Sequence, residues 1–181
     1  MNTVKFEPWV GSRYGKRSKF GFGILVLGES HWGDDPNVGP EFTAEIVRWL
    51  AQSEPNAFFT KISKLLLGLD ESTWLPPEKR AEVWEEVAFY NFIQGFVGNG
   101  PRISPTKEMI ERSRKPYLGV LEKLKPSLVL VLGKGLSKII PVVSSSSEFC
   151  IVQHPSTGFS YKLWGPVFQE ALQRAASRSK A

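Results

Sequence analysis

A chain of 181 residues, 41% hydrophobic and 23% charged, is long enough for one domain with a real core. Its single cysteine, Cys150, excludes an internal disulfide, a cysteine-based zinc site and a four-cysteine iron–sulfur cluster, so no metal or cofactor is expected. No run of about eighteen apolar residues is present, which leaves no membrane-spanning helix, and the net charge of +5 is compatible either with a solvated basic surface or with a phosphate-bearing partner.

Residues 1–20 read as a basic arm, with Lys5, Arg13, Lys16, Arg17 and Lys19 against Glu7. They hold no apolar signal core, so a cytoplasmic location is expected. Residues 21–181 read as a single domain. Its first strand covers about 23–28: Ile24 to Leu27 is a short apolar run between glycines, the mark of a strand buried on both faces. Glu29, Ser30, His31 and Trp32 then leave the core together. In open α/β sheets ligands bind just past the carboxyl ends of such strands.

A loop of turn formers, 33–40, leads to a helix at about 41–53, with Phe42, Ile46, Trp49 and Leu50 on one apolar face. A second helix is expected at 56–68 with Phe58, Ile62, Leu65 and Leu66 inward. A third runs from Glu78 to about Glu86 behind Pro76-Pro77. Residues 88–93 read as a strand with one misfit, Asn91. A buried amide needs partners, and one at a strand end can donate to and accept from a ligand edge.

After a glycine-rich loop, Ser104-Pro105 reads as an N-cap with proline at the first helical position. The helix runs to about Leu124, disturbed at Pro116. Strand 128–132 stops at Gly133, a short helix covers 135–140, and Ser144–Ser147 is a loop. Strand 148–153 follows, then His154-Pro155-Ser156 and a closing helix from Tyr161 to Ala176. Strands alternate with helices, so the expected fold class is α/β: a three-layer sandwich around a central four-stranded parallel sheet. Both histidines sit directly after a strand. The basic stretches 1–20 and 102–125 are compatible with a phosphate-backbone footprint.

Two local motifs compete for the first exit. Gly28-Glu29-Ser30-His31-Trp32 approaches the nucleophile elbow G-x-S-x-G but ends in Trp32, which leaves a serine hydrolase using Ser30 and His154 as one alternative. The order of three separated motifs points elsewhere. Gly28-Glu29-Ser30-His31-Trp32 after the first strand, Tyr90-Asn91-Phe92 in the second and His154-Pro155-Ser156 after the last resemble the uracil-DNA glycosylase superfamily. There the first motif reads G-Q-D-P-Y or G-E-A-P-G and the last H-P-S. The segment Pro101 to Gly133 resembles that superfamily's centre, and the resemblance covers about residues 23–172.

The resemblance implies a DNA glycosylase of base excision repair, monomeric, cutting the N-glycosidic bond of uracil or another deaminated base in DNA. His154 would donate to the base and stabilise the departing anion. Glu29 matches the acid of G-E-A-P-G, and Ser30 stands where the other branch has its water-activating Asp. Asn91 would read the polar edge of the flipped base. Phe42 would stack on it, with His31 and Trp32 beside the pocket. Ser156 would touch phosphate, Phe159 or Tyr161 would wedge into the vacated stack, and Arg102, Ser104, Lys134 and Lys162 would join them on DNA. A second alternative is a protein of the same fold that binds nucleic acid or a nucleobase without cleaving it.

Overall fold

A computed structural model describes residues 4–35, 37–100, 103–141 and 147–179. The parallel strands are β2 (Ile24–Gly28), β3 (Ala88–Asn91), β4 (Leu128–Leu132) and β5 (Glu148–Val152). A fifth strand, β1 (Trp9–Val10), pairs antiparallel with β3, so the sheet is mixed and five-stranded in the order β1-β3-β2-β4-β5. This corrects the expected four-stranded sheet. Two residues are too few to show any alternation, which is why β1 is invisible in the pattern.

Burial on both faces accounts for the unbroken apolar runs. Ile24, Val26, Phe89, Leu130 and Val152 face one core with α2 (Ala57–Leu67), α3 (Pro77–Trp84) and α5 (Tyr161–Ser179). Leu25, Leu27, Tyr90, Val129 and Val131 face a second core under Tyr117 and Val120 of α4 (Lys107–Leu124). Each fully buried leucine or valine contributes about 1.5–3 kcal/mol over an exposed one.

Three helices depart from expectation. α1 (Phe42–Ile46) widens into a π-helical stretch, Val47–Ser53. Glu54 N–H there reaches back to the Trp49 carbonyl at 2.7 Å. The wider register turns Thr43, Ala44, Val47 and Ala51 inward and leaves Trp49 56% exposed. Buried Arg80 donates Nε to the Ala51 carbonyl at 3.1 Å and Nη2 to Ser53 at 3.3 Å, satisfying the end of this stretch. α4 is capped by Thr106, whose hydroxyl accepts from Met109 N–H at 3.2 Å, not by Ser104, which is exposed. It passes through buried Pro116 without a break. α5 runs beyond Ala176 to Ser179. No helix among the described residues is long and apolar enough to cross a membrane.

Segment 5–13 crosses the whole edge of the sheet. Phe6 N–H donates to Gln94 Oε1 at 2.9 Å beyond the carboxyl end of β3. Trp9 Nε1 donates to the Trp84 carbonyl at 2.9 Å, and Arg13 Nε meets Glu86 at 2.7 Å before β3 begins. Phe6 and Trp9 are buried, so this part of the basic arm belongs to the core.

Candidate functional site

The parallel strands set where a site can form. β3 lies on one side of β2, and β4 and β5 on the other, so the chain switches direction across the sheet between β2 and β4. An open cleft of about 470 Å³ lies at the carboxyl end of that switch point. It is lined by Glu29 from the β2 exit, by Leu132, Gly133, Lys134, Gly135 and Leu136 from the β4 exit, and by Gln153, His154 and Thr157 from the β5 exit.

Backbone hydrogen bonds tie these exits together. Phe92 N–H donates to the Gly28 carbonyl at 2.9 Å and Ile93 N–H to Glu29 at 2.8 Å. Gly133 N–H donates to the Val152 carbonyl at 2.9 Å. Gly133 has φ of 126°, where L residues are strained; a β-carbon there would find only ordinary contact with His154, so the dihedral demands the glycine.

His154 is half-buried, and burial lowers its imidazole from the ordinary histidine value, which favours the uncharged ring. Ser156 N–H donates to His154 Nδ1 at 3.2 Å. Nδ1 is therefore the acceptor and Nε2 carries the proton. The Phe58 ring packs 5.5 Å from the imidazole, and Lys61 Nζ donates to the Pro155 carbonyl at 2.7 Å, so α2 fixes this loop from one side. Glu29 is half-buried, and burial raises its carboxyl above the ordinary range. The site thus offers a neutral N–H donor and a carboxyl group of raised basicity on one cleft.

Other expected residues fall outside the lining. His31 is buried, 3.0 Å from Thr43 Oγ1, with its ring 4.9 Å from Phe42 and 5.4 Å from Phe6. Burial brings its pKa down to about 4. His31 and Phe42 thus build an aromatic cluster with Phe6 and Phe96 and do not line the cleft. Trp32 is 55% exposed, outside it. Asn91 is buried opposite Gly28, and its carboxamide has no hydrogen-bond partner among the described residues.

Ser30 is half-buried, and among the described residues it has no hydrogen bond to either histidine and no helix starts between it and Phe42. The strand–turn–helix geometry of a nucleophile elbow is therefore missing.

Among the expected DNA contacts, Lys134 lines the cleft, with its ammonium 5.5 Å over the Trp164 ring, and Ser156 is exposed beside it. Phe159 is buried and packs edge-on against Tyr161 at 5.3 Å, so it is held in the core where a wedge would need to protrude. Tyr161 and Lys162 line a separate open groove of about 620 Å³ with Gly68 and Asp70, and burial pushes the Tyr161 phenol up to about 12. Arg102 lies outside the described residues.

The basic stretches also resolve. Lys19 N–H donates to Glu86, and Ser127 N–H to the Gly23 carbonyl, which places Lys16, Arg17 and Lys19 at the amino ends of the strands, opposite the cleft. In α4, Arg112 pairs with Glu108 and Arg114 with Glu111, and Lys123 meets Glu7 at 3.4 Å. Thr157, in the loop expected to touch phosphates, lines the cleft; Phe58, an apolar helix position like any other, and Gln153, an ordinary loop residue until the fold brings it to the cleft, carry no such signal in the sequence.

Compared with models of known protein families the chain matches none, and compared with curated proteins it matches none. Among the described residues no group of three or more His, Cys, Asp or Glu side chains is placed to hold a metal ion.

Proposed function

We propose that this protein is a DNA glycosylase that hydrolyses the N-glycosidic bond of uracil or another deaminated base. The observation that carries the reading is His154, which lines the cleft at the sheet's switch point: Ser156 N–H donates to Nδ1, which leaves Nε2–H as the ring's donor. Cleaving an N-glycosidic bond leaves negative charge on the base and positive charge on the sugar. A fixed donor stabilises the first, and such a donor is worth about 3 kcal/mol in the transition state. A carboxylate stabilises the second or orients water. Glu29 is the cleft's carboxylate. The motif order GESHW, YNF and HPS supports the same reading.

In the proposed mechanism the target base leaves the stack, which aromatic walls and basic side chains assist. Lys134 lines the cleft for the phosphates, and Phe58 packs against His154 and holds its ring in place. The leaving base takes a hydrogen bond from His154 Nε2, and Glu29 faces the sugar. Ser30 occupies the usual place of the water-activating acid, which favours the non-cleaving binder as second reading.

The test is a panel of oligonucleotides carrying one uracil, hypoxanthine or xanthine, scored for abasic sites. Release from any of them supports the reading. Specific binding without release moves the protein to the non-cleaving class, and neither binding nor release removes the reading altogether.

A further inference from the structure

Gln153 and His154 both line the cleft, and a chain of hydrogen bonds fixes the direction of the Gln153 carboxamide. Thr157 Oγ1 donates its proton to the His154 carbonyl at 2.9 Å, an oxygen that can only accept. The hydroxyl then has only lone pairs left for Gln153. The Gln153 group 3.2 Å from it must therefore be the NH₂. This assigns the amide by proton bookkeeping and leaves Oε1, which has no partner among the described residues, as the free end. Two cleft-lining residues adjacent in the chain thus carry a free acceptor, Gln153 Oε1, and a donor, His154 Nε2–H.

We propose that this pair reads a lactam, a ring N–H next to a ring carbonyl, and that Gln153 with its Thr157 clip determines specificity for deaminated bases. The inference rests on the glycosylase reading and deepens it. Uracil presents N3–H beside C2=O, and hypoxanthine presents N1–H beside C6=O. Each matches acceptor to donor and donor to acceptor. Cytosine and adenine carry a bare ring nitrogen at the equivalent place, which sets lone pair against lone pair at Oε1. A site that leaves a buried polar group opposed or unpaired rejects the wrong ligand strongly. The pair does not distinguish uracil from thymine, which share the lactam.

The experiment compares free uracil, 3-methyluracil and cytosine binding to the intact protein by ligand-observed NMR, alongside uracil release from single-stranded DNA. The unmodified protein should bind uracil at least roughly tenfold tighter than 3-methyluracil, the scale of one lost hydrogen bond. Gln153→Leu should bring the two ligands to equal affinity. Gln153→Glu, which keeps the acceptor, should retain the preference. Thr157→Val frees the amide to turn and should narrow the gap between uracil and cytosine. A Gln153→Leu protein that melts like the unmodified one and keeps the full preference overturns the inference, while continued uracil release leaves the glycosylase reading standing. Absence of both binding and release in the unmodified protein overturns both.

Discussion

The carboxamide oxygen of Asn91 occupies the space where a β-carbon on Gly28 would stand. The two residues are register partners across β2 and β3, both buried, at the last rung before the chain leaves the sheet. A methyl group at position 28 must push the amide aside or shift the strands. Gly28→Ala should therefore cost about 1–3 kcal/mol in urea unfolding, the usual range for overpacking. Asn91→Ala in the same chain should recover part of the loss. A double-mutant cycle with no coupling would mean that the strain resides in the backbone instead.

His154→Ala should lower base release by roughly a hundredfold to a thousandfold while changing DNA affinity little. The donor acts on charge that develops only as the bond breaks, so its loss appears in the rate. Single-turnover release and fluorescence anisotropy separate the two effects. Equal losses in both would reduce His154 to a binding contact.

Glu29→Gln keeps the shape and removes the anion. Release should fall by roughly a hundredfold, with binding to abasic DNA nearly unchanged. Burial raises the Glu29 carboxyl above the ordinary range, so the acid limb of the pH–rate profile should lie above that of an exposed glutamate. Activity then rises with pH as Glu29 ionises, and this limb should vanish in Glu29→Gln. A profile shared by both proteins would assign the limb to another group.

His31 predicts a pH dependence of stability. The unfolded chain takes up a proton as pH falls below about 6.5, and the folded chain only near 4. Stability is therefore full above this window and declines through it, by on the order of 3 kcal/mol at 1.36 kcal/mol per pKa unit. His31→Gln should flatten the decline in urea melts taken between pH 7 and 4. An unchanged slope would place the titration elsewhere.

Lys134 lines the cleft, whereas Lys16, Arg17 and Lys19 lie at the other end of the sheet. Replacing Lys134 by alanine should lower the slope of log affinity against log salt by about one, for one lost phosphate contact. Replacing Lys16, Arg17 and Lys19 should leave the slope as it was. The reverse result would put the nucleic acid on the far face.

Parts of this architecture can be read directly from the chain. β2 and β4 are unbroken apolar runs because helices cover both faces of the sheet, and the turns that end them are glycines. The place of Glu29 and His154 follows from parallel strands alone, since both leave carboxyl ends. The same rule puts Lys16, Arg17 and Lys19 at the amino end, because they precede β2; composition hid that position. What periodicity cannot carry is a two-residue edge strand, or a helix whose register changes from Val47 onward. Nor can it carry a contact such as Phe58 against His154, which depends on how α2 lies over the β5 exit. The Gln153 clip was equally silent, because its meaning lies in which atom holds the proton.

Segment 5–13 also shapes the order in which the molecule can be made. Trp9 waits for the Trp84 carbonyl, 75 positions later, and Phe6 N–H for Gln94, 88 positions later. At ribosomal speeds of 5–20 residues per second, these partners trail by roughly 4–18 s. Two large aromatic side chains are without their native cover throughout that interval, and β2 can meet β3 before β1 closes the edge. Slower elongation between positions 10 and 94 lengthens the exposure, so yield should depend on codon choice there more than in α5, whose β5 partners are already made.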